Sequence, residues 1–474
     1  MLSDPWRITA SRMAITFVML SAIALVFVDS VSLTVAAATV LLGYLCLGWR
    51  QFGTGTWVPV ALSVAVGAMA IWRELPMPAF LDAAGRMIFL GSLIPILNLL
   101  RTAAAVAPEV ALAGRFLTEQ PASRRYIALS LGGHLFGVLI NFGGLALLLD
   151  LSTRSMQNAQ TDRLPPALKE VKLKRMTLAV MRGFGLISLW SPFGFATNVV
   201  LITIPGISYA QFGLIGFAMS FVFLGIGWAI DRIEGGPYRK MALAGAQLVP
   251  PRGAWIGAAM LIGHALALGA LVLAVHHVTV LSFQQALITL VPVYAVAWIA
   301  MSGRVTTNGA AAMLRVAAGI AWRRQSTAAG EVGVFAAAGF LPVVLLSSLP
   351  IGALQVGIAS LEFHAVVLAL ALMFAIVVLA LVGVNPIVSA SVLGAIAAQL
   401  SVPGLSLAAI ALAITGGWSV VIGLSPFITT VVFCATIIDR PVWKVGPVWN
   451  GLYCLAITLT WAALLTALMI SGAI

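Results

Sequence analysis

Apolar residues run along this chain in blocks long enough to cross a bilayer. The blocks fall at about 13–28, 31–48, 57–72, 80–100, 126–149, 178–204, 207–230, 253–275, 278–301, 331–349, 363–400, 405–438 and 446–472. A helix of about 20 apolar residues spans the hydrocarbon core. Short alternating strands, the mark of an outer-membrane barrel, do not recur. The pattern predicts an all-α polytopic membrane protein. Composition agrees: of 474 residues, 61% are hydrophobic and 8% charged, with mean hydropathy +1.09. Soluble chains carry about 25% charged residues.

The polar links at 101–125, 150–177, 231–252 and 302–330 are basic, with Arg124, Arg125, Lys172, Lys174, Arg175, Arg239, Lys240, Arg323 and Arg324 among their cations. Cytoplasmic loops of membrane proteins collect Lys and Arg, which accounts for the net charge of +12 without nucleic acid and places these links inside. One block resists simple threading, because 126–149 has basic links on both flanks. A re-entrant hairpin from the cytoplasm, turning within the glycine-rich run from Gly132 to Gly144, resolves this. Residues 363–400 are too long for one span and are interrupted at Gly383-Val384-Asn385-Pro386, which predicts a second hairpin from the outside. About eleven transmembrane helices then remain. The N-terminus lies inside, the C-terminus outside, and of the 26 Lys and Arg all but Arg73, Arg86 and Arg182 fall in cytoplasmic segments. The run from Met13 reads as a retained first helix, since no small-residue cleavage site follows it.

Two blocks carry a helix breaker at mid-length. Trp190-Ser191-Pro192-Phe193-Gly194 interrupts the first, and Ser425-Pro426-Phe427 the second. Proline removes a backbone donor and clashes with the preceding turn. Within a membrane such a break persists only where protein or a cavity surrounds it. The order of landmarks repeats: Pro95, Asn141 and Ser191 in one half answer Pro342, Asn385 and Ser425 in the other, from opposite predicted sides. Inverted repeats with interrupted helices near the midplane characterise secondary transporters. The expected units are accessory helices at 1–54, a first inverted repeat at 55–230 (hairpin 120–158, broken helix 178–204), a loop and linking helix at 231–277, and a second repeat at 278–474 (hairpin 363–400, broken helix 405–438).

The candidate solute ligands follow from these breaks. Ser191, Thr197 and Asn198 come from the first and Ser425, Thr429 and Thr430 from the second; hydroxyls bonded back onto a kinked helix are the plainer alternative. The half-helix after the first break is expected to start near Asn198, with amides favouring an anion. Asn141 and Asn385 sit at the hairpins as solute ligands or as turn anchors. His134, His364 and Arg182 are candidates for coupling. Each histidine reads equally as a packed or interfacial group, and Arg182 as a snorkelling side chain at the cytoplasmic face. Asp150 and Glu362 read as interfacial, so no clear buried carboxylate is expected. Cys46, Cys434 and Cys454 suggest neither a disulfide framework nor a metal site, and no cofactor is implied.

Pro192-x-Gly194-x-x-x-Asn198 resembles the Pro-x-Gly-Thr-x-x-Asn stretch in the broken helix of the ion transporter superfamily, which includes divalent anion/sodium symporters, citrate carriers and arsenite transporters. Phe195 stands at the motif threonine, and Asn141-Phe142-Gly143 and Asn385-Pro386-Ile387 stand where that group has Ser-Asn-Thr hairpin tips. The resemblance implies a homodimer of scaffold and transport domains working by an elevator motion. The expected function is secondary active transport of a small, anionic solute across an inner membrane, coupled to protons or sodium. An integral membrane enzyme, a lipid-processing protein and a channel are the alternatives, although no zinc motif, phosphate loop or nucleophile with its base points to an enzyme.

Overall fold

The computed structural model describes residues 5–121, 123–154, 156, 165–235, 252–305, 309–360, 363–400 and 402–474. Arg239, Lys240 and Glu362 lie outside the described residues. Every regular element described is helical. The chain begins with α1 (Pro5–Ala24), α2 (Val31–Gly48), α3 (Thr54–Trp72) and the 30-residue α4 (Met77–Val106). Then come α5 (Pro108–Thr118), α6 (Arg125–Ile140), α7 (Phe142–Arg154), α8 (Pro166–Gly185), α9 (Phe195–Thr203) and α10 (Gly213–Gly235). The second half opens with α11 (Trp255–Val278), α12 (Phe283–Val305), α13 (Gly309–Gln325), α14 (Ala329–Ser348) and α15 (Ile351–Ser360). It closes with α16 (Ala365–Leu381), α17 (Pro386–Leu400), α18 (Leu407–Leu424), α19 (Thr429–Ile437) and α20 (Trp449–Ile470).

Among the described residues ten helical segments are long and apolar enough to cross a membrane, and α18 with α19 counts as one of them. The broken pair α8 and α9 is the remaining expected span. Helices α6, α16 and α17 are apolar but shorter than a span. The protein is therefore a polytopic α-helical membrane protein.

Polar contacts at the helix ends give the spans their directions. Glu170, near the start of α8, bonds Arg440 and Lys444 just after α19, each at 2.7 Å. Arg175 grips Asp231 at the end of α10, and Lys174 bonds Glu234 there at 2.7 Å. At the other end of α9, the Ile202 carbonyl accepts from Arg86 near the start of α4, at 3.0 Å. So α8–α9 and α18–α19 run in opposite directions. Arg101 near the end of α4 approaches Glu331 at the start of α14, 3.9 Å away, and Arg73 beyond α3 donates to Ser348 at the end of α14, at 2.8 Å. Helices α4 and α14 are thus antiparallel and pack side by side.

Each hairpin embraces the far end of the opposite broken helix: α17 packs on α9, and α7 on α19. The 3₁₀ turn Leu186–Leu189 before the first break packs on α18. The first hairpin turns at Asn141, within the expected run from Gly132 to Gly144, while Gly132, Gly133 and Gly137 lie inside α6. Those glycines serve packing. A β-carbon on Gly133 would strike the Val180 carbonyl, and one on Gly183 would strike the Ser130 carbonyl, so α6 and α8 approach backbone to backbone at two points. The basic links at 101–125 and 302–330 are largely helical too, as the end of α4 with α5 and as α13. Helices α1 and α2 pack together and against α4, and Tyr44 donates to the Gln325 carbonyl at 2.9 Å.

Candidate functional site

The first break is built by its own sequence. Helix α8 ends at Gly185, a 3₁₀ turn carries the chain to Leu189, and α9 starts at Phe195 with Gly194 as an extended N-cap. The second half-helix thus begins three residues before the expected Asn198. Pro192 cannot supply an amide to continue the helix. The Asn198 carboxamide fills the gap by donating to the Pro192 carbonyl at 3.0 Å and to the Gly194 carbonyl at 2.9 Å. That orientation leaves its Oδ1 without a protein partner. Ser191 Oγ and Thr197 Oγ1 are likewise buried and unpartnered. Buried polar atoms nearly always find partners, so three orphaned oxygens in one turn mark a place built to receive something.

The second break has a different economy. The Ser425 hydroxyl donates to the Ala380 carbonyl of α16 at 2.7 Å and accepts from the Phe427 amide at 3.2 Å. It pins the break to the hairpin behind it. Thr430 is buried, whereas Thr429 and Phe427 are exposed. Asn385 Oδ1 accepts from the Ile387 amide at 3.0 Å and so caps α17. Asn141 is buried with φ of 55°, a left-handed conformation that asparagine tolerates better than most residues. Its amide reaches the Phe136 and Gly137 carbonyls and closes α6.

His134 lies beside the first break, and its tautomer follows from its neighbours. The Trp190 indole can only donate, and it meets His134 Nε2 at 3.1 Å. Nε2 must therefore accept, which leaves Nδ1–H to donate to the Gly183 carbonyl at 3.1 Å. His364 is exposed and caps α16, accepting from the Val366 amide at 3.4 Å. Arg182 does not snorkel. It is 4% exposed and bonds Asn450 at 2.7 Å, the Tyr126 hydroxyl at 3.0 Å and the Gly227 carbonyl at 3.3 Å. Its neighbours on three other helices hold it deeper than a local reading of the chain suggests.

Two cavities approach α9 from opposite ends. A cavity of about 470 Å³ lies near its first residue, lined by Asn98 and Arg101 of α4, Ile140 and Gly143 at the hairpin turn, Arg324 and Glu331. The Arg101 guanidinium stands 5.6 Å from the Phe195 ring and donates to Asn98 at 2.9 Å. Its Nη2 has no protein partner. A second cavity, of about 720 Å³, reaches Leu201 and Ile202 at the other end of α9 and is lined by Asp29, Asp82, Arg86 and Gln284 among others. The two cavities lie at opposite ends of α4, the first by Asn98 to Ala107 and the second by Leu81 to Phe89.

Sequence reading missed Arg101, Asn98 and Glu331. It ended the fourth block at residue 100 and assigned Arg101 to a loop. The alanine-rich run after Thr102 was the available signal that the helix continues by more than a turn. Buried carboxylates exist as well, contrary to expectation: Glu109 accepts from Trp298 at 2.6 Å and Ser302 at 2.9 Å, with His264 Nε2 3.7 Å away, and Asp231 is held by Arg175. Helix α5 folds against α11 and brings these distant groups together. Asp150 pairs with Arg154 one turn along α7, at 2.9 Å.

No family model matches this chain, and no curated protein does. Solved structures do resemble it. One is the YdaH transporter of Alcanivorax borkumensis, whose crystal structure shows an unusual topology; the similarity covers 89% of this chain and 99% of that one, with a TM-score of 0.56 and 15% identity. At that identity the likeness is one of fold, and it extends over nearly the whole of both chains.

Proposed function

We propose that this protein is a secondary active transporter of a small anionic solute. The observation that carries the proposal is the set of buried polar atoms at the first break, in Ser191, Thr197 and Asn198, that find no partner among the described residues, with Arg101 of a neighbouring cavity beside Phe195. A carrier needs a solute site that one barrier separates from each side in turn. Arg101 supplies positive charge where one cavity meets the start of α9, and the first amides of that helix favour an anion. The hydroxyls of Ser191 and Thr197 suit either the anionic solute or a hard cation such as sodium, whereas Asn198 Oδ1, which only accepts, suits the cation. The full-length likeness in fold to a transporter supports the same reading.

In this proposal the hairpins and broken helices move against α4 and α14 as an elevator in a homodimer. The basic side faces the cytoplasm of a cell whose inner membrane holds the protein, with the N-terminus inside and the C-terminus outside. Asn141, Asn385, Ser425, Thr429 and Thr430 contribute by shaping the two hairpin and break regions, and sodium or protons drive the cycle.

The test is counterflow in proteoliposomes with labelled mono- and dicarboxylates and inorganic anions. Saturable exchange is expected, and unsaturated voltage-driven current would make the protein a channel instead. Arg101→Gln should weaken the apparent affinity for the transported anion by about tenfold or more, since a charge-assisted bond is worth about 1.5–3 kcal/mol. Unchanged affinity would remove Arg101 from the site.

A further inference from the structure

We infer that Arg182 anchors a binding site for a monovalent inorganic anion, of the halide class, at the junction of α6, α8, α10 and α20. Its guanidinium is buried among Tyr126 of α6, Gly227 of α10, and Asn450 and Tyr453 of α20. Among the described residues every hydrogen-bond partner it has is neutral. The Asn450 carboxamide is oriented by its own donation to the Gly423 carbonyl at 3.0 Å, so Oδ1 faces the arginine. The neighbouring carboxylate, Asp231, lies one turn beyond Gly227 on α10 and is gripped through both oxygens by Arg175, at 2.8 and 2.7 Å. The junction therefore keeps a net positive charge. A buried charge without a counter-charge is costly, and ionisable groups inside membranes mark functional sites.

The free hydrogen-bonding capacity around Arg182 has the character of an anion site. Arg182 Nη2 and Tyr453 OH are buried with no hydrogen-bond partner among the described residues, and the Ser130 hydroxyl donates to the Tyr126 oxygen. Tyr126 OH accepts from Arg182, which leaves its own hydrogen to donate. Ser130 is one turn along α6 from Tyr126, and its backbone touches Gly183, the residue after Arg182. Tyr453 presents its ring to the guanidinium, 4.6 Å from the ring centre. One guanidinium edge and two hydroxyl hydrogens, those of Tyr126 and Tyr453, suit a ligand that only accepts and carries one negative charge. An apolar groove of about 340 Å³ between α6 and α10 opens at Tyr126 and Ser130.

This site shares no residue with the Arg101 cavity, and it does not rest on the transport reading. The test uses the full-length protein purified in detergent. Thermal unfolding is followed in about 0.15 M sodium chloride or bromide and in sodium gluconate at the same ionic strength. Binding to the folded state raises apparent stability. The expected result is a Tm higher by about 3 °C or more in halide. That difference should vanish in the Tyr126→Phe/Tyr453→Phe double variant and in Arg182→Gln, and persist in Arg101→Gln. Crystals grown in bromide should show an anomalous peak beside Arg182 Nη2. Equal Tm values in halide and gluconate, or a full halide shift in the double variant, would overturn the inference. The double variant keeps Arg182 and its Asn450 and Gly227 partners, so it decides the matter if Arg182→Gln fails to fold. Loss of transport in Arg101→Gln with an intact halide shift would separate the two sites.

Discussion

His134 is a candidate proton carrier by residue type, but its neighbours assign it another task. One ring nitrogen accepts from Trp190 and the other donates to Gly183, so adding a proton would break the indole bond. The ring works as a strut between α6 and the first break. Trp190→Phe, which keeps the aromatic surface and deletes the donor, should cost about 1 kcal/mol, read as a lower Tm. A His134→Gln variant should leave the pH profile of transport unmoved. Glu170 makes a second residue-scale prediction. The Arg440 guanidinium holds its carboxyl down to about 2, against burial and with help from Lys444. A carboxylate with a depressed folded value stabilises the protein above its ordinary value of 4.5, and the stabilisation is lost as pH falls through the folded value. The Tm gap between wild type and Glu170→Gln should therefore be constant above about pH 5 and close as pH falls toward 2. A gap that widens on acidification would contradict the pairing. Asn198 stands out in the sequence because it follows a breaker at fixed spacing, and its carboxamide bonds across the break to the Pro192 and Gly194 carbonyls. Arg182 was misplaced because its partners Asn450 and Tyr126 are 268 and 56 positions away.

At the scale of elements, the contact of α6 with α8 holds the first hairpin to the first broken helix. Gly133 and Gly183 let the two backbones touch. Gly183→Ala inserts a methyl group against the Ser130 carbonyl and should destabilise by about 1–3 kcal/mol, seen as a Tm drop and as loss of hairpin protection in hydrogen exchange. Unchanged stability would mean that the helices separate readily. Both breaks were legible, because proline within an apolar block has few explanations. The first hairpin turn falls within the expected run from Gly132 to Gly144, at Asn141, and the glycines before it serve helix packing. Asn385 and Asn141 differ in role for a local reason: Asn385 caps the helix after its turn, while the left-handed Asn141 closes the helix before its turn.

The whole molecule crosses two broken helices in opposite directions and backs each far end with the hairpin of the other half. Two cavities lie at opposite ends of α4. Single cysteines at the exposed cavity residues Ala105 and Ser282, in a background without Cys46, should react with an impermeant thiol reagent from opposite faces of oriented vesicles. Labelling of both from one face would refute the arrangement. Span number and break positions could be read from the chain alone, because a bilayer imposes length and backbone hydrogen bonding on each segment locally. What only the tertiary structure decided is which polar groups are satisfied and which are free. Ser425 is spent on the Ala380 carbonyl, Ser191 and Thr197 are not, and Arg101 and Arg182 each keep an unpartnered nitrogen. That outcome depends on atoms brought together from distant parts of the chain, and no local pattern of apolar and polar residues encodes those distances.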